Sequence, residues 1–513
     1  MRESRTENAL KNSLAGLALR AVSILSRFIL RTAFLRVLGN EYAGLTGVFT
    51  DILNVLALAQ AGLESSLLYA LYRPLAENDM PRAALLLRFY RRAFLCVGAG
   101  MAAAGVLVAP FLSFIVKDIP AVREDIRLIF LLFVLDAAAS CCLAVRPALL
   151  KARQHARTVS RYAIAAECAE CLLSVALLLV CKRFAVWLFI HLTVDLVKNA
   201  LLWRAAGREG EGLFAREVAR LDPAERRRRI EDTLFLTAYD LSGAAINSTD
   251  SIFISLFCGT AEVAVVGNYM LIVNSVKGAI EQVAAAVKPG VGNLAVTETP
   301  EKQRQIFRRM DLAYFCAACW GGACLFSLLN PFVGGIWMGP AYQVPDLTAA
   351  LITLNFHIAV MVYPVEAFRT ANGLFARGWG RPIATAALNL LLDGALGSVW
   401  GVDGILLATA VSRVLTQVWF DPYLLGRYAF RQSARCYYVR YVLRAALASA
   451  VCAATWFVCS LIPVANVYAA FACRAVVSAV LPPLLLSVFL CRDPDWRCLT
   501  ASARKIVKTM VKI

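Results

Sequence analysis

The chain has 513 residues, of which 60% are hydrophobic and only 17% are charged, and its mean hydropathy is +0.64. This composition lies outside the range of soluble domains and indicates repeated membrane spans. The formal net charge of +18 does not require a nucleic acid partner. Even the run Arg226-Arg227-Arg228-Arg229 falls in a predicted cytoplasmic loop, where topology and contact with anionic membrane lipids explain it.

Apolar segments of about 20 residues, the length that crosses a hydrocarbon core, recur along the whole chain. They predict an all-α polytopic membrane protein with about 14 transmembrane helices. The predicted spans are residues 13–38, 43–70, 93–116, 124–150, 160–181, 184–203, 233–257, 263–288, 310–332, 347–375, 382–399, 401–425, 441–462 and 466–491.

The distribution of Lys and Arg tests this topology independently, because both residues concentrate in cytoplasmic loops. With the amino terminus in the cytoplasm, 37 of the 53 Lys and Arg residues lie in inside segments and 4 lie in outside loops. The first apolar run follows Lys11 and is not followed by a small-residue cleavage site, so it is predicted to remain as a span. We therefore expect a multi-pass protein of the cell membrane with both termini in the cytoplasm.

The first predicted span contains three arginines, Arg20, Arg27 and Arg31. On a helix with about 100° per residue they fall within roughly 40° of arc and climb about 16 Å, which makes one stripe of positive charge. An arginine that faces lipid costs about 2.5–3.5 kcal/mol, so the stripe predicts an anionic ligand or a wet cavity. The alternative is that the arginines pair with acids on neighbouring helices and hold the bundle together.

A constant offset of 220 residues indicates an internal repeat. It relates Gly39 to Gly259, Gly47 to Gly267, Ile52 to Ile272, and Asn54 to Asn274. An even number of spans in each block makes the repeat parallel, a layout typical of transporters in which two lobes rock around a central site. The predicted domains are an N-terminal lobe at 1–203 (spans 1–6), a cytoplasmic linker at 204–230, a C-terminal lobe at 231–425 (spans 7–12), and spans 13–14 with the tail at 426–513.

Further polar residues lie inside the predicted spans, and they mix acids with bases. Lys277 with Glu281 and Glu366 with Arg369 have the spacing of helical ion pairs, so structural pairing and ligand contact both remain open for them. Asn247 is the repeat mate of Arg27. The predicted substrate-binding residues are Arg20, Arg27, Arg31, Asn247, Asn274, Lys277 and Arg369, and the predicted coupling or ion-pair residues are Asp51, Glu64, Asp250, Glu281 and Glu366.

Catalytic and metal-binding patterns are weak in this sequence. Cys168-x-x-Cys171 and Cys316-x-x-Cys319 have a metal-ligand spacing, but both lie in apolar helical runs without a nearby histidine, so the sixteen cysteines are interpreted as small core residues. The outside loops are short and the chain has no Gly-x-x-x-x-Gly-Lys-Ser/Thr phosphate loop. We therefore predict no enzymatic activity, no cofactor and no metal.

Several stretches resemble the bacterial polysaccharide flippases of the multidrug/oligosaccharidyl-lipid/polysaccharide exporter superfamily, over roughly residues 8–440. They are Arg31-Thr-Ala-Phe-Leu-Arg-Val-Leu-Gly39, Glu41-Tyr-Ala-Gly-Leu-Thr-Gly47, 65–79, Asp250-Ser-Ile-Phe-Ile-Ser255, Val266-Gly-Asn-Tyr269, Gly292-Asn293-Leu294, 368–374 and Phe420-Asp421-Pro422-Tyr423. The resemblance implies twelve core helices plus two and no known enzymatic activity. It also implies a substrate that is an undecaprenyl-pyrophosphate-linked oligosaccharide, carried from the cytoplasmic to the outer face.

The resemblance and the arginine stripe agree, because guanidinium groups grip phosphate with paired hydrogen bonds. The leading hypothesis is a flippase that works by alternating access, with membrane lipids and the glycosyltransferases or glycan polymerase of its pathway as partners. One alternative is a drug/cation antiporter of the same superfamily, although a cationic substrate favours an acidic cavity. A membrane glycan polymerase or ligase is a further alternative, which would require long outside loops, and a structural scaffold would leave the charges in the spans unexplained.

Overall fold

The computed structural model describes residues 5–116, 124–153, 155–209, 213, 222–227, 229–231, 233, 249–374, 376–378, 380–463 and 466–501. These residues form helices and connecting turns without a β-strand, as predicted. They divide into two compact units, unit 1 (Met1–Ala264) and unit 2 (Val265–Ile513). The predicted linker at 204–230 lies partly and the predicted span at 233–257 lies mostly outside the described residues, and Asn247 lies outside them altogether.

Unit 1 contains ten helices among its described residues. They are α1 (Arg5–Leu38), α2 (Asn40–Leu56), α3 (Leu58–Ala76), α4 (Met80–Val108), α5 (Leu112–Ile115), α6 (Ile126–Leu143), α7 (Val145–Ala152), α8 (Ala156–Cys181), α9 (Phe184–Glu209) and α10 (Asp250–Cys258). Helix α11 (Thr260–Thr297) begins in unit 1 and continues into unit 2. The further helices of unit 2 are α12 (Pro300–Asn330), α13 (Asp346–Ala371), α14 (Gly380–Arg413), α15 (Trp419–Leu424), α16 (Arg435–Ser460) and α17 (Val467–Leu490).

Ten of the described helical segments are long and apolar enough to cross a membrane. Two predicted spans differ from the structure because the helix breaks within them: 43–70 is divided at Ala57 and 124–150 at Ala144. Two other predicted spans, 382–399 and 401–425, belong to one helical segment, Gly380–Ala429, which begins with α14. Their predicted boundary coincides with a kink at Gly401, whose φ of 57° is accessible to glycine.

Glycine allows α4 and α6 to pack closely. A Cβ atom added at Gly98 would lie 2.6 Å from the Sγ of Cys142, and one added at Gly105 would lie 2.4 Å from Cγ1 of Val134. The two glycines are two turns apart and therefore share a face of α4. Small residues at such positions are typical of membrane helices, whose association depends on close van der Waals contact.

The two glycines Gly39 and Gly259, which the 220-residue offset relates, have similar backbone angles. Gly39 precedes α2 with φ 86° and ψ −178°, and Gly259 precedes α11 with φ 97° and ψ 165°. Both values lie in a region that side chains disfavour. Equivalent chain positions therefore start their helices with the same backbone geometry.

The cysteines only partly follow the prediction that they are small core residues. All sixteen are free thiols; Cys141, Cys171, Cys319 and Cys459 are buried, whereas six others are exposed. Within the described residues no group of three or more His, Cys, Asp or Glu side chains is arranged to hold a metal ion.

Candidate functional site

The arginine stripe of α1 occupies three different environments. Arg27 is exposed, and Arg20 is half-buried with an Nε atom that has no hydrogen-bond partner in the described residues. Neither arginine has an acidic partner within the part of the chain that the structure describes. Arg31, one turn further on, donates from Nη2 to the carbonyl oxygen of Ala264 at 3.0 Å. The stripe is thus anchored at one end and keeps unneutralised guanidinium groups toward the other.

Helix α8 supports this part of α1. Ser23 donates to Oε2 of Glu167 at 2.5 Å, and the thiol of Cys171 donates to the carbonyl oxygen of Ser26 at 3.8 Å. On a helical wheel Ser23 lies about 60° from the stripe. Glu167 therefore uses one oxygen on a serine rather than on an arginine in this structure.

The acids predicted on α2 and α3 have partners other than the stripe. Glu64 accepts from Lys151 at 2.5 Å, so the structure makes it an ion-pair residue. Asp51 accepts from Nδ2 of Asn54 at 3.5 Å. Asp250 is the first residue of α10, following Thr249.

The polar residues predicted at 274, 277 and 281 lie on α11. Asn274 and Glu281 are exposed, and Lys277 is half-buried between them. Lys288, two turns beyond Glu281, donates to Oε1 of Glu366 on α13 at 3.2 Å.

Glu366 and Arg369, whose spacing would permit a helical ion pair, have other close partners in the structure. Glu366 is bound by Lys288, and Arg369 donates from Nη1 to Oδ1 of Asp421 at 2.6 Å. A second arginine, Arg381, approaches Oδ2 of Asp421 at 3.3 Å. The two α13 residues point about 60° apart, which is enough to direct Glu366 toward α11 and Arg369 into the core. Arg369 is only 1% exposed, so in this structure it joins helices rather than facing an open site.

Sequence reasoning missed a cluster of charged residues on α6, α8 and α9. The imidazole of His191 lies 2.8 Å from Oε1 of Glu170 through Nδ1 and 3.8 Å from Oδ2 of Asp136 through Nε2. Its ring stacks on Trp187 with centroids 5.5 Å apart. A histidine held between two carboxylates can bind and release a proton within a membrane bundle.

Asp195 continues this cluster one turn along α9. It accepts from Ser140 at 2.7 Å and from Asn199 at 2.8 Å, and it forms an ion pair with Lys198. The shared hydroxyl of Ser140 also accepts from Asn199 at 2.8 Å. Four polar side chains thus bind one another and connect α6 with α9.

A second missed cluster lies inside unit 2, along α14. Asn389 and Asp393 are both 0% exposed, and Nδ2 of Asn389 donates to Oδ1 of Asp393 at 3.2 Å and to Thr409 at 3.4 Å. The kink at Gly401 turns the second half of α14 back so that Thr409 reaches Asn389. Oδ1 of Asn389 has no hydrogen-bond partner within the described part of the chain.

The side-chain oxygen atoms of this second cluster are of the types that bind a hard cation. A carboxylate, an amide oxygen and a hydroxyl are the ligand types that such cations prefer. Carriers place coupling ions beside interrupted membrane helices, where side-chain and backbone oxygens converge. Asn389, Asp393 and Thr409 could therefore hold a monovalent cation once the Asn389 amide turns, because in this structure its Nδ2, and not Oδ1, faces the other two side chains.

Local signals for both clusters exist in the sequence. Asn389 and Asp393 are four residues apart within an apolar run, and Asp136, Glu170 and Asp195 are acids inside predicted spans. The spacing of Asn389 and Asp393 places them on one face of a helix. The sequence does not show how α6, α8 and α9 pack together. This packing places His191 beside Glu170 and Asp136, which are 21 and 55 residues away in the chain.

No protein-family model and no curated protein matches the chain. Solved structures do match it. The lipid II flippase MurJ in an inward closed conformation matches with a TM-score of 0.67 at 12% identity, over 93% of this chain and 98% of that one. An inward-facing multidrug resistance MATE family transporter of the MOP superfamily matches with a TM-score of 0.54 at 14% identity. The match covers 79% of this chain and 97% of that one.

A third match is a MOP superfamily transporter from Pyrococcus furiosus, described as having a binding pocket of reversed polarity. Its TM-score is 0.55 at 14% identity, over 82% of this chain and 95% of that one. Identities this low establish a fold and leave function open. The chain therefore has the same fold as these flippase and MATE transporter structures.

Proposed function

We propose that the chain is a secondary carrier that moves an undecaprenyl-pyrophosphate-linked oligosaccharide from the inner to the outer leaflet for cell-surface polysaccharide synthesis. The observation that carries the proposal is the stripe on α1, where exposed Arg27 and half-buried Arg20 lack an acidic partner among the described residues. An arginine in a membrane span requires water or an anion. A pyrophosphate supplies the anion, while its prenyl chain can stay in lipid.

In this proposal the guanidinium groups of Arg20 and Arg27 bind phosphate oxygens, each with two parallel hydrogen bonds. Arg31 is held by the carbonyl oxygen of Ala264 and contributes positive potential and a second bond. In unit 2, exposed Asn274 and half-buried Lys277 of α11 are retained as proposed substrate-binding residues. Arg369 is assigned a supporting role, because it is buried against Asp421.

We propose alternating access as the transport mechanism, driven by a cation that binds Asn389, Asp393 and Thr409. With the cation bound, the cluster would favour one geometry of α14 at the Gly401 kink. Without the cation it would favour another. Glu64 and Glu366 are less suitable for coupling, because each is bound by a lysine. The proposed partners are the lipid-linked oligosaccharide, membrane lipids, and the glycosyltransferases or polymerase of the same pathway.

The deciding experiment is complementation in cells depleted of the chain, with lipid-linked oligosaccharide measured on each face of the membrane. Depletion should accumulate it on the cytoplasmic face. Wild type and Arg36→Ala, which alters an exposed arginine at the end of the same helix, should restore export. Arg27→Ala and Arg31→Ala should fail at normal protein levels. Unimpaired export by both variants would refute the proposal.

A drug/cation antiporter is the second candidate function. The observation in its favour is the acid cluster of Asp136, Glu170 and Asp195 in unit 1, since acids in a span favour a cationic substrate or ion. Efflux of an organic cation from proteoliposomes, abolished by Glu170→Gln and unaffected by Arg27→Ala, would establish it in place of the flippase.

A further inference from the structure

A basic groove lies at the polar end of α4, outside the sites described above. It encloses a cavity of about 1200 Å³ between α4 and the linker segment, which we define as the described residues between Asp222 and Thr233. Four arginines line it, Arg88 and Arg92 from α4 and Arg226 and Arg227 from the linker segment.

The charges of the groove are unbalanced. Of its two acids, Glu231 is bound by Arg227 at 2.9 Å, and Asp222 accepts from the backbone N–H of Ala224 at 3.1 Å. Arg92 and Arg226 are exposed and have no acidic partner within the described residues. Guanidinium groups brought together in this way repel one another unless an anion lies between them.

The linker segment is held in place on the bundle. Glu225 accepts from Arg82 of α4 at 2.5 Å and lies 3.6 Å from Arg229. Thr233 donates to Ser66 of α3 at 3.0 Å. The two walls of the groove are therefore joined by specific contacts, which preorganise its arginines.

The groove also has apolar lining residues. Leu85, Phe89 and Ala93 of α4 line it together with Ile230, whose side chain is 40% exposed. Helix α4 belongs to the membrane-spanning segment Met80–Phe114, and its arginines precede the apolar part of that span. Basic side chains at this depth lie where phospholipid head groups meet acyl chains.

We propose that the groove binds one molecule of an anionic glycerophospholipid. Its phosphate lies among Arg88, Arg92 and Arg226, and an acyl chain covers Phe89 and Ile230. A free phosphate would engage the arginines and leave the apolar lining residues without a partner, so the mixed lining favours the lipid. This site does not depend on the transport function proposed above.

The test is native mass spectrometry of the full-length protein in detergent, with palmitoyl-oleoyl-phosphatidylglycerol, the matching phosphatidylcholine, or inorganic phosphate added. Wild type should retain one phosphatidylglycerol in preference to phosphatidylcholine. The triple variant Arg88→Gln/Arg92→Gln/Arg226→Gln should lose about tenfold or more of this binding, because each basic residue near an anionic membrane surface adds to the attraction.

Two control variants make the result specific. Arg161→Gln/Arg204→Gln/Arg435→Gln removes the same number of exposed arginines elsewhere and should bind like wild type. Replacement of Arg88, Arg92 and Arg226 by Lys should keep most of the binding, which separates loss of charge from misfolding. Equal retention of both phospholipids, unchanged binding by the Gln triple variant, or inorganic phosphate binding as well as phosphatidylglycerol would each overturn the proposal.

Discussion

Arg369 on α13 and Asp421 on α15 form an ion pair with a distance of 2.6 Å, and their side chains are only 1% and 3% exposed. Arg381 also contacts the carboxylate of Asp421, at 3.3 Å. Two guanidinium groups thus share one buried counter-charge. Removing that charge would take a close anionic partner from two guanidinium groups in a low-dielectric core, which is costly.

We therefore expect Asp421→Asn to lower the free energy of unfolding by about 3–5 kcal/mol, a magnitude measured when one partner of a buried pair is removed. Glu231→Gln is the matched comparison, because its pair with Arg227 has side chains that are 62% and 84% exposed. It should cost less than about 1 kcal/mol. Thermal unfolding of both variants in the same detergent measures the difference; equal losses would contradict the assignment of Asp421 as the buried counter-charge.

Substitution of Gly39 tests the backbone conformation that this residue shares with Gly259. A Cβ atom added at Gly39 would meet nothing within 4 Å, so an alanine there suffers only from the φ of 86°. We expect Gly39→Ala to destabilise the protein by about 1–2 kcal/mol. Gly100→Ala also adds a methyl group in open space but keeps ordinary helical angles, so it should be neutral or stabilising. A Gly39→Ala variant as stable as wild type would exclude a conformational requirement at this position.

Gly44 tests a steric contact between α2 and the first turn of α11. A Cβ atom at Gly44 would lie 1.8 Å from the carbonyl oxygen of Thr260, which is backbone and cannot rotate away. Gly44→Ala should therefore destabilise by about 1–3 kcal/mol through overpacking. At Gly47, three residues on, the nearest atom is a methyl of Val263 at 3.3 Å, so Gly47→Ala should cost less. Unfolding temperatures of the two variants provide the measurement, and the reverse order would contradict the contact.

Asp393 tests the proposed cation cluster. Asp393→Asn preserves the size of the side chain and removes its charge, so the affinity for a coupling cation should fall about tenfold or more. The measurement is the cation dependence of transport, or of thermal stability, as sodium replaces choline in the buffer. Asp346→Asn changes an acid that binds Asn330 elsewhere in unit 2 and should leave this dependence unchanged. A normal sodium response in Asp393→Asn would remove this cluster from the coupling mechanism.

The all-helical membrane architecture could be predicted from the sequence, because hydropathy and chain length act locally and are additive along a helix. Gly39 and Gly259 could be recognised in the sequence for a similar reason, because a backbone conformation that favours glycine constrains the residue type at a single position. The helix breaks at Ala57 and Ala144 were not visible, because neither position carries a Gly or Pro signal. The stripe of Arg20, Arg27 and Arg31 likewise followed from helical periodicity alone.

The partners of the charges were decided only by tertiary structure. Arg369 has an acid three residues away, yet its partner is Asp421, 52 residues on, because a rotation of about 60° on α13 separates the core from the exposed face. Glu64 is bound by Lys151, and His191 lies beside Glu170 and Asp136, through contacts between helices that sequence spacing does not encode. The sequence by itself determined which helices exist and where charge enters them, whereas helix packing determined which charges neutralise one another and which stay available for a ligand.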